Sequence, residues 1–235
     1  LQTIQALSER QCEDPLIQFT AARAWRGTGN PERALQAISR AIDAAPEDAD
    51  FRLLRAQISV DQDHWDSALT DIAAVPVLRL SPFQHYRLCG LLMQTGQFTR
   101  AMPEYRALVA RAPAYAEAWL GLAAACERAN DLDGMQDALT RVQVLPLNSA
   151  QHAGVNQMQG KLASRRNDNT SACRFLGAAY EADVSDPLWK SQVGFDYGQC
   201  LDKVGRYAEA WQVFNTAHAT RNRIKTDAAG DHQAL

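Results

Sequence analysis

Two stretches of this sequence repeat each other: GNPERALQAISRAIDAAP at 29–46 and GQFTRAMPEYRALVARAP at 96–113. In each, a glycine is followed five places later by an alanine, and a proline closes the stretch. Anchoring the whole chain on that alanine gives Ala34, Ala68, Ala101, Met135, Ala172 and Ala210, at intervals of 34, 33, 34, 37 and 38 residues. Other columns then fall at fixed offsets. Twelve before each anchor stand Ala22, Ala56, Cys89, Ala123, Gly160 and Gly198, all small, as two closely crossing helices require. Five before stand Gly29, Asp63, Gly96, Asn130, Asn167 and Gly205, the residue types that tolerate the left-handed conformation ending a helix. Four after come Ile38, Ile72, Tyr105, Leu139, Leu176 and Phe214, and seven after come Ala41, Val75, Leu108, Val142, Ala179 and Ala217. Together with the anchor these mark one face of a second helix at i, i+4 and i+7. The two longer intervals predict short insertions near 149–152 and 187–190.

A period near 34 residues with these columns resembles the tetratricopeptide repeat family, over residues 15–224. The family's closing proline is matched by Pro46 and Pro113, shifted by one at Pro146, and absent after the sixth unit. Its leucine before the small residue is replaced by Arg55, read as a snorkelling stem. Asn169 replaces the usual aromatic, so the fifth unit is expected to be the loosest. The resemblance implies an all-α fold, a right-handed alpha-alpha superhelix of about six helix-turn-helix repeats, with first helices lining a concave face. The expected units are 15–48, 49–81, 82–115, 116–149, 153–186 and 191–224. Residues 1–14 read as the second helix of a preceding partial repeat, closed by Pro15, and 225–235 as a frayed polar tail. The opening on Leu1 rather than Met leads us to expect a processed or excised piece.

Composition narrows the function. The net charge of −3 lacks the positive field that a general nucleic-acid binder needs. No apolar run approaches the roughly 20 residues of a membrane helix, and residues 1–15 contain no secretory h-region. The five cysteines, Cys12, Cys89, Cys126, Cys173 and Cys200, are widely spaced, with no C-x-x-C and no short pairing with a histidine. They read as buried free thiols, which fits a cytoplasmic location and predicts no metal and no cofactor.

No catalytic constellation stands out. Gly27 and Gly29 form only a G-x-G within a turn, and no phosphate-loop, zincin or nucleophile-elbow motif occurs. Glu104, Glu117 and Asp202 read as solvated carboxylates. Arg165–Arg166 and the Arg221, Arg223, Lys225 cluster are short basic patches, the second complementing a helix dipole. The chain is therefore read as non-catalytic, a scaffold for a protein or peptide partner. By the family pattern its concave face carries Phe19, Arg23, Leu53, Gln57, Asp61, Tyr86, Met93, Gln94, Glu127, Gln157, Lys161, Gln199 and Asp202. Repeats that capture the acidic C-termini of heat-shock chaperones carry Lys and Asn at fixed concave places. Here those places hold Phe19, Arg23, Leu53 and Gln57, which argues against that clamp.

The last unit, GFDYGQCLDKVGRYAEAWQVFNTAHATRNR at 194–223, resembles the final repeat of bacterial proteins in which tetratricopeptide repeats precede a sulfotransferase domain. The matching residues are Phe195, Leu201–Asp202, Gly205–Arg206–Tyr207, Ala210–Trp211, Phe214–Asn215 and Arg221. That resemblance implies a parent protein transferring sulfate from phosphoadenosine phosphosulfate through a domain beyond residue 235, with the repeats regulating it or recruiting substrate. A third class is self-association through uncapped repeat ends.

Overall fold

The computed structural model describes residues 14–233; the leading helix expected over 1–14 lies almost wholly outside them. Twelve α-helices occupy the described residues, with one 3-10 turn at Val77–Arg79 and no strand among them. They are α1 (Pro15–Gly27), α2 (Pro31–Ala44), α3 (Ala49–Asp61), α4 (Trp65–Ala73), α5 (Pro82–Gln94) and α6 (Phe98–Arg111) in a first compact unit. A second unit beginning at Ala112 contains α7 (Ala116–Arg128), α8 (Leu132–Gln143), α9 (Ser149–Arg165), α10 (Asn169–Glu181), α11 (Pro187–Lys203) and α12 (Tyr207–Gln233). The all-α repeat fold read from the columns is the observed one.

Short polar side chains start most of these helices by occupying backbone donors that lack an intrahelical partner. Asp14, Asn30, Asp48, Asp131, Asp168 and Asp186 each accept from an N–H in the first turn. Ser81 with Gln84, and Asn148 with Gln151, form reciprocal capping boxes. Proline at the first position of α1, α2, α5 and α11 adds a preset φ where no donor is lost.

The turn between the two helices of each repeat is the most regular feature. Gly29, Asp63, Gly96, Asn130, Asn167 and Gly205 have φ of 71°, 57°, 72°, 59°, 61° and 80°, and they alone among the described residues have positive φ. After each, the next residue donates its N–H back to the carbonyl five before it, at 2.8–2.9 Å: Asn30 to Trp25, His64 to Ser59, Gln97 to Leu92, Asp131 to Cys126, Asp168 to Ala163 and Arg206 to Leu201. That is a Schellman closure, and it reverses the chain in about three residues.

The small column meets the column four beyond the anchor. A Cβ built at Gly160 would lie 2.5 Å from Leu176 Cγ, and one at Gly198 would lie 2.6 Å from Phe214 Cε1. Side chains at the anchor column are 0–2% exposed in all six repeats. The insertions have a simple form: α9 and α11 have 17 residues, whereas α1, α3, α5 and α7 have 13. Four residues are about one turn, so the helix lengthens at its start while its buried face keeps phase. In the second repeat, α4 stops at Ala73, and Val75, expected on its face, is buried just past its end. At the other terminus α12 continues to Gln233, so residues 225–233 of the segment read as a frayed tail have helical backbone.

Candidate functional site

Within each unit, consecutive first helices touch: α1 with α3 and α3 with α5, then α7 with α9 and α9 with α11. Their outward sides form a shared surface, laced by polar pairs within and between neighbouring repeats. In the first unit Arg26 Nε meets Asp61 Oδ2 at 2.6 Å, Gln57 donates to Asp61 (3.0 Å) and to Gln94 (3.1 Å), and Asp50 accepts from Gln84 (2.7 Å) and Arg87 (2.8 Å). In the second, Arg165 donates to Glu127 at 2.7 Å, Gln151 to Glu117 at 2.8 Å, and Lys161 lies 3.5 Å from Asp196.

The thirteen residues expected on the concave face divide in the structure. Arg23, Asp61, Gln94, Gln199 and Asp202 are exposed, and Phe19, Gln57, Tyr86, Met93, Glu127 and Lys161 are half-buried. Leu53 and Gln157 are not surface residues, at 0% and 6% exposure. The reason is geometric. Phe19, Leu53, Tyr86 and Gln157 share one column, fifteen before the anchor, which faces the seam between adjacent repeats rather than the open side. Phe19 packs there against Phe51, with ring centroids 5.2 Å apart, and Gln157 accepts from the Trp189 indole N–H at 2.8 Å.

Other expectations need correcting. Arg55 is not a stem extended to water: its guanidinium grips Asp71 through Nε (2.8 Å) and Nη2 (2.7 Å), and Asp71 is 2% exposed. That bond to Asp71 raises the Arg55 pKa further. Glu104 and Glu117 are not simply solvated either. Glu104 pairs with the buried His85 ring at 2.8 Å, and Glu117 holds Gln151.

On the first unit the structure shows a cleft of about 570 Å³ that the sequence reading did not isolate. It is lined by Phe19, Arg23, Arg26, Asp50, Leu54, Phe83, Gln84 and Arg87, among others. Three arginines thus share a space whose lining contains one carboxylate, in a chain whose net charge is negative. Arg26 is held by Asp61 and Arg87 by Asp50, while Arg23 lies over the Phe19 ring, 5.8 Å from its centroid, with no ion pair among the described residues. Burial lowers the Arg87 pKa from its usual value; Asp50 opposes this, and Arg23 and Arg26 add repulsion. Phe83, 62% exposed, supplies an apolar wall at the mouth. Only its repeat position, at the start of a first helix, could have pointed to it.

Four thiols are described, Cys89, Cys126, Cys173 and Cys200, all buried and none in a disulfide. Two of them meet: Cys173 donates to Cys200 Sγ at 2.7 Å. The spacing of cysteines along the chain concealed this pair, but the repeat frame contains it. Cys173 is one after its anchor and Cys200 ten before the next, as are Leu35 and Ile58 in the first two repeats, which share an apolar cluster. Among the described residues no group of three or more His, Cys, Asp or Glu could hold a metal, and no helix is long and apolar enough to cross a membrane.

Helix pairs with a left-handed turn residue, a small crossing residue and a buried anchor in every unit define an all-α helical repeat fold. Residues 19–84 and 91–134 match the family model described as the tetratricopeptide repeat. Solved structures share the fold. YrrB, a tetratricopeptide protein with an unusual peptide-binding site, is 17% identical with a TM-score of 0.57, covering 76% of this chain and 91% of its own. The Cut9–Hcn1 hetero-tetramer of the APC/C gives 14% and 0.69, covering 96% of this chain and 44% of that one. PilF of Pseudomonas aeruginosa gives 12% and 0.62, covering 94% and 95%. No curated protein matches the sequence significantly.

Proposed function

We propose that this chain is a protein-interaction scaffold, and that the first-helix face of its N-terminal unit binds a partner segment bearing a carboxylate beside an apolar side chain. The observation that carries this reading is the convergence of Arg23, Arg26 and Arg87 on one cleft with Phe19 and Phe83. An incoming carboxylate would offset the repulsion among the arginines, and Arg23 is the one with no acidic partner among the described residues. The apolar walls give the neighbouring side chain a place to lose water. The likeness to YrrB, itself a peptide-binding tetratricopeptide protein, supports a peptide or protein ligand.

The test is a titration of a partner recovered by affinity capture with the 235-residue chain. Arg23→Glu should weaken binding by at least tenfold, or about 1.4 kcal/mol. Tyr86→Ala, next to Arg87 in the sequence of α5 but not lining the cleft, should weaken it less, and Arg106→Ala on a second helix should do little. Binding lost on the Arg106 change but retained on the Arg23 change would overturn the assignment. A second reading rests on the residue match over 194–223: the repeats would recruit substrate to a sulfotransferase domain. A Gly-rich phosphate loop after a strand, encoded beyond Leu235 in the parent gene, is the observation that would support it; a gene lacking one would remove it.

A further inference from the structure

We propose that Cys173 and Cys200 are a redox-active dithiol, converted by a small-molecule disulfide into a bond that staples the second helix of the fifth repeat to the first helix of the sixth. The two sulfurs are already in contact at 2.7 Å, joined in a chain in which Cys173 donates to Cys200 and Cys200 donates to the Asn169 carbonyl at 3.3 Å. They reach this position from 27 residues apart, carried on α10 and α11, which pack against one another. Both lie in an apolar cluster with Leu176, Leu201 and Ala210. Their neighbours therefore hold the pair together in the folded chain without any bond between them.

Access distinguishes the two thiols. Cys173 lines an open cleft of about 490 Å³ together with Arg174, Gly177, Tyr197 and Arg206. That space is within the range of small-ligand pockets and open to solvent, large enough to admit one tripeptide half of a glutathione disulfide. Cys200 sits behind it at 2% exposure. Cys173 is accordingly the point of entry and Cys200 the resolving thiol. With oxidised glutathione as the oxidant, the Cys173 thiolate attacks one sulfur of the reagent, forming a mixed disulfide and expelling one glutathione thiolate. The Cys200 thiolate then attacks the Cys173 sulfur, breaking the mixed disulfide and expelling the second. The two protons leaving the protein thiols end on the two glutathione molecules, so one glutathione disulfide is reduced as one protein disulfide forms.

The order of events also suits the resolving thiol. In the dithiol, burial first, and then the contact with Cys173, push Cys200 up to about 12. Once Cys173 is capped as a mixed disulfide it cannot ionise, so its charge no longer opposes ionisation of Cys200. Cys89 and Cys126, by contrast, are 0% and 1% exposed, and burial pushes the Cys89 thiol far up.

The experiment is to treat the full 235-residue chain with oxidised glutathione, alkylate under denaturing conditions, digest with trypsin and identify linked peptides by mass spectrometry. The expected product joins peptide 167–174 to peptide 191–203, is released by dithiothreitol, and forms at a rate independent of protein concentration. It should persist in a Cys89→Ser/Cys126→Ser chain, and in urea it should fall to a minority among the scrambled pairings of five cysteines. Cys200→Ser should stop at a glutathione adduct on Cys173. A folded wild-type chain that accumulates that adduct without the linked pair, or that scrambles its cysteines as the urea-treated chain does, would overturn the proposal. So would a Cys200→Ser chain in which Cys173 stays unmodified.

Discussion

Adding one methyl group at Gly160 tests the crossing of the fifth helix pair directly. An alanine Cβ there would lie 2.5 Å from Leu176 Cγ, 2.9 Å from its Cδ2 and 3.2 Å from its backbone nitrogen. Leu176 is 1% exposed, so its side chain has nowhere to retreat, and the backbone contact means that α10 must shift as a body. Overpacking of this kind costs about 1–3 kcal/mol, against about 0.5–1 kcal/mol that alanine gains over glycine within a helix. The net expectation is a loss of about 1–2 kcal/mol. Gly198→Ala meets the Phe214 ring at 2.6–2.9 Å, but that ring is only half-buried and can swing aside, so its loss should be smaller. Gly90→Ala meets nothing within 4 Å and should stabilise the chain through helix propensity alone. Urea denaturation followed by circular dichroism orders the three. With a slope of about 2 kcal/mol per molar urea, Gly160→Ala should lower the midpoint by about 0.5–1 M and Gly90→Ala should raise it slightly. Because repeat arrays can unfold in parts, Trp189 fluorescence should report the same loss for Gly160→Ala in the second unit. A Gly160→Ala chain as stable as Gly90→Ala would refute the close crossing.

Two further perturbations probe the charges. Asp71→Ala leaves Arg55, 28% exposed, and Arg52, 19% exposed, without their shared carboxylate, and should cost about 2–3 kcal/mol in urea midpoint terms, less than a fully enclosed pair because both guanidiniums reach water; an unchanged midpoint would contradict the pairing. Asp196 has its pKa raised above the ordinary 3.8, chiefly by burial, with Lys161 opposing. The folded state therefore binds that proton more tightly than the unfolded chain, so the associated stability is present below pH 3.8 and is lost as pH rises through the folded value. Asp196→Asn should remove that decline, so its stability relative to wild type should grow across the same window; a constant difference would contradict the burial.

The parts of this protein that were legible in its sequence are those set by one residue's own backbone or by hard-core contact. A left-handed φ admits few residue types, so Gly29, Asp63, Gly96, Asn130, Asn167 and Gly205 announced every intra-repeat turn. A close crossing admits only small side chains, so Ala22 to Gly198 announced every helix pair. Periodicity placed the helices, and even the insertions before α9 and α11 were visible as added length, although their form as one extra helical turn was not. The candidate site was legible only as a list of first-helix positions. Whether such a residue faces solvent depends on which column turns into the seam between repeats, and that is set by how neighbouring first helices stack. Leu53 and Gln157 went inside for this reason, while Arg23 stayed out. The grip of Arg55 on Asp71, the approach of Arg87 to Arg23 and Arg26 around one cleft, and the contact of Cys173 with Cys200 join residues 16 or more apart. Their identities are in the sequence, but each contact depends on how helices pack, within a repeat for Arg55 and Asp71 and across a repeat boundary for the others.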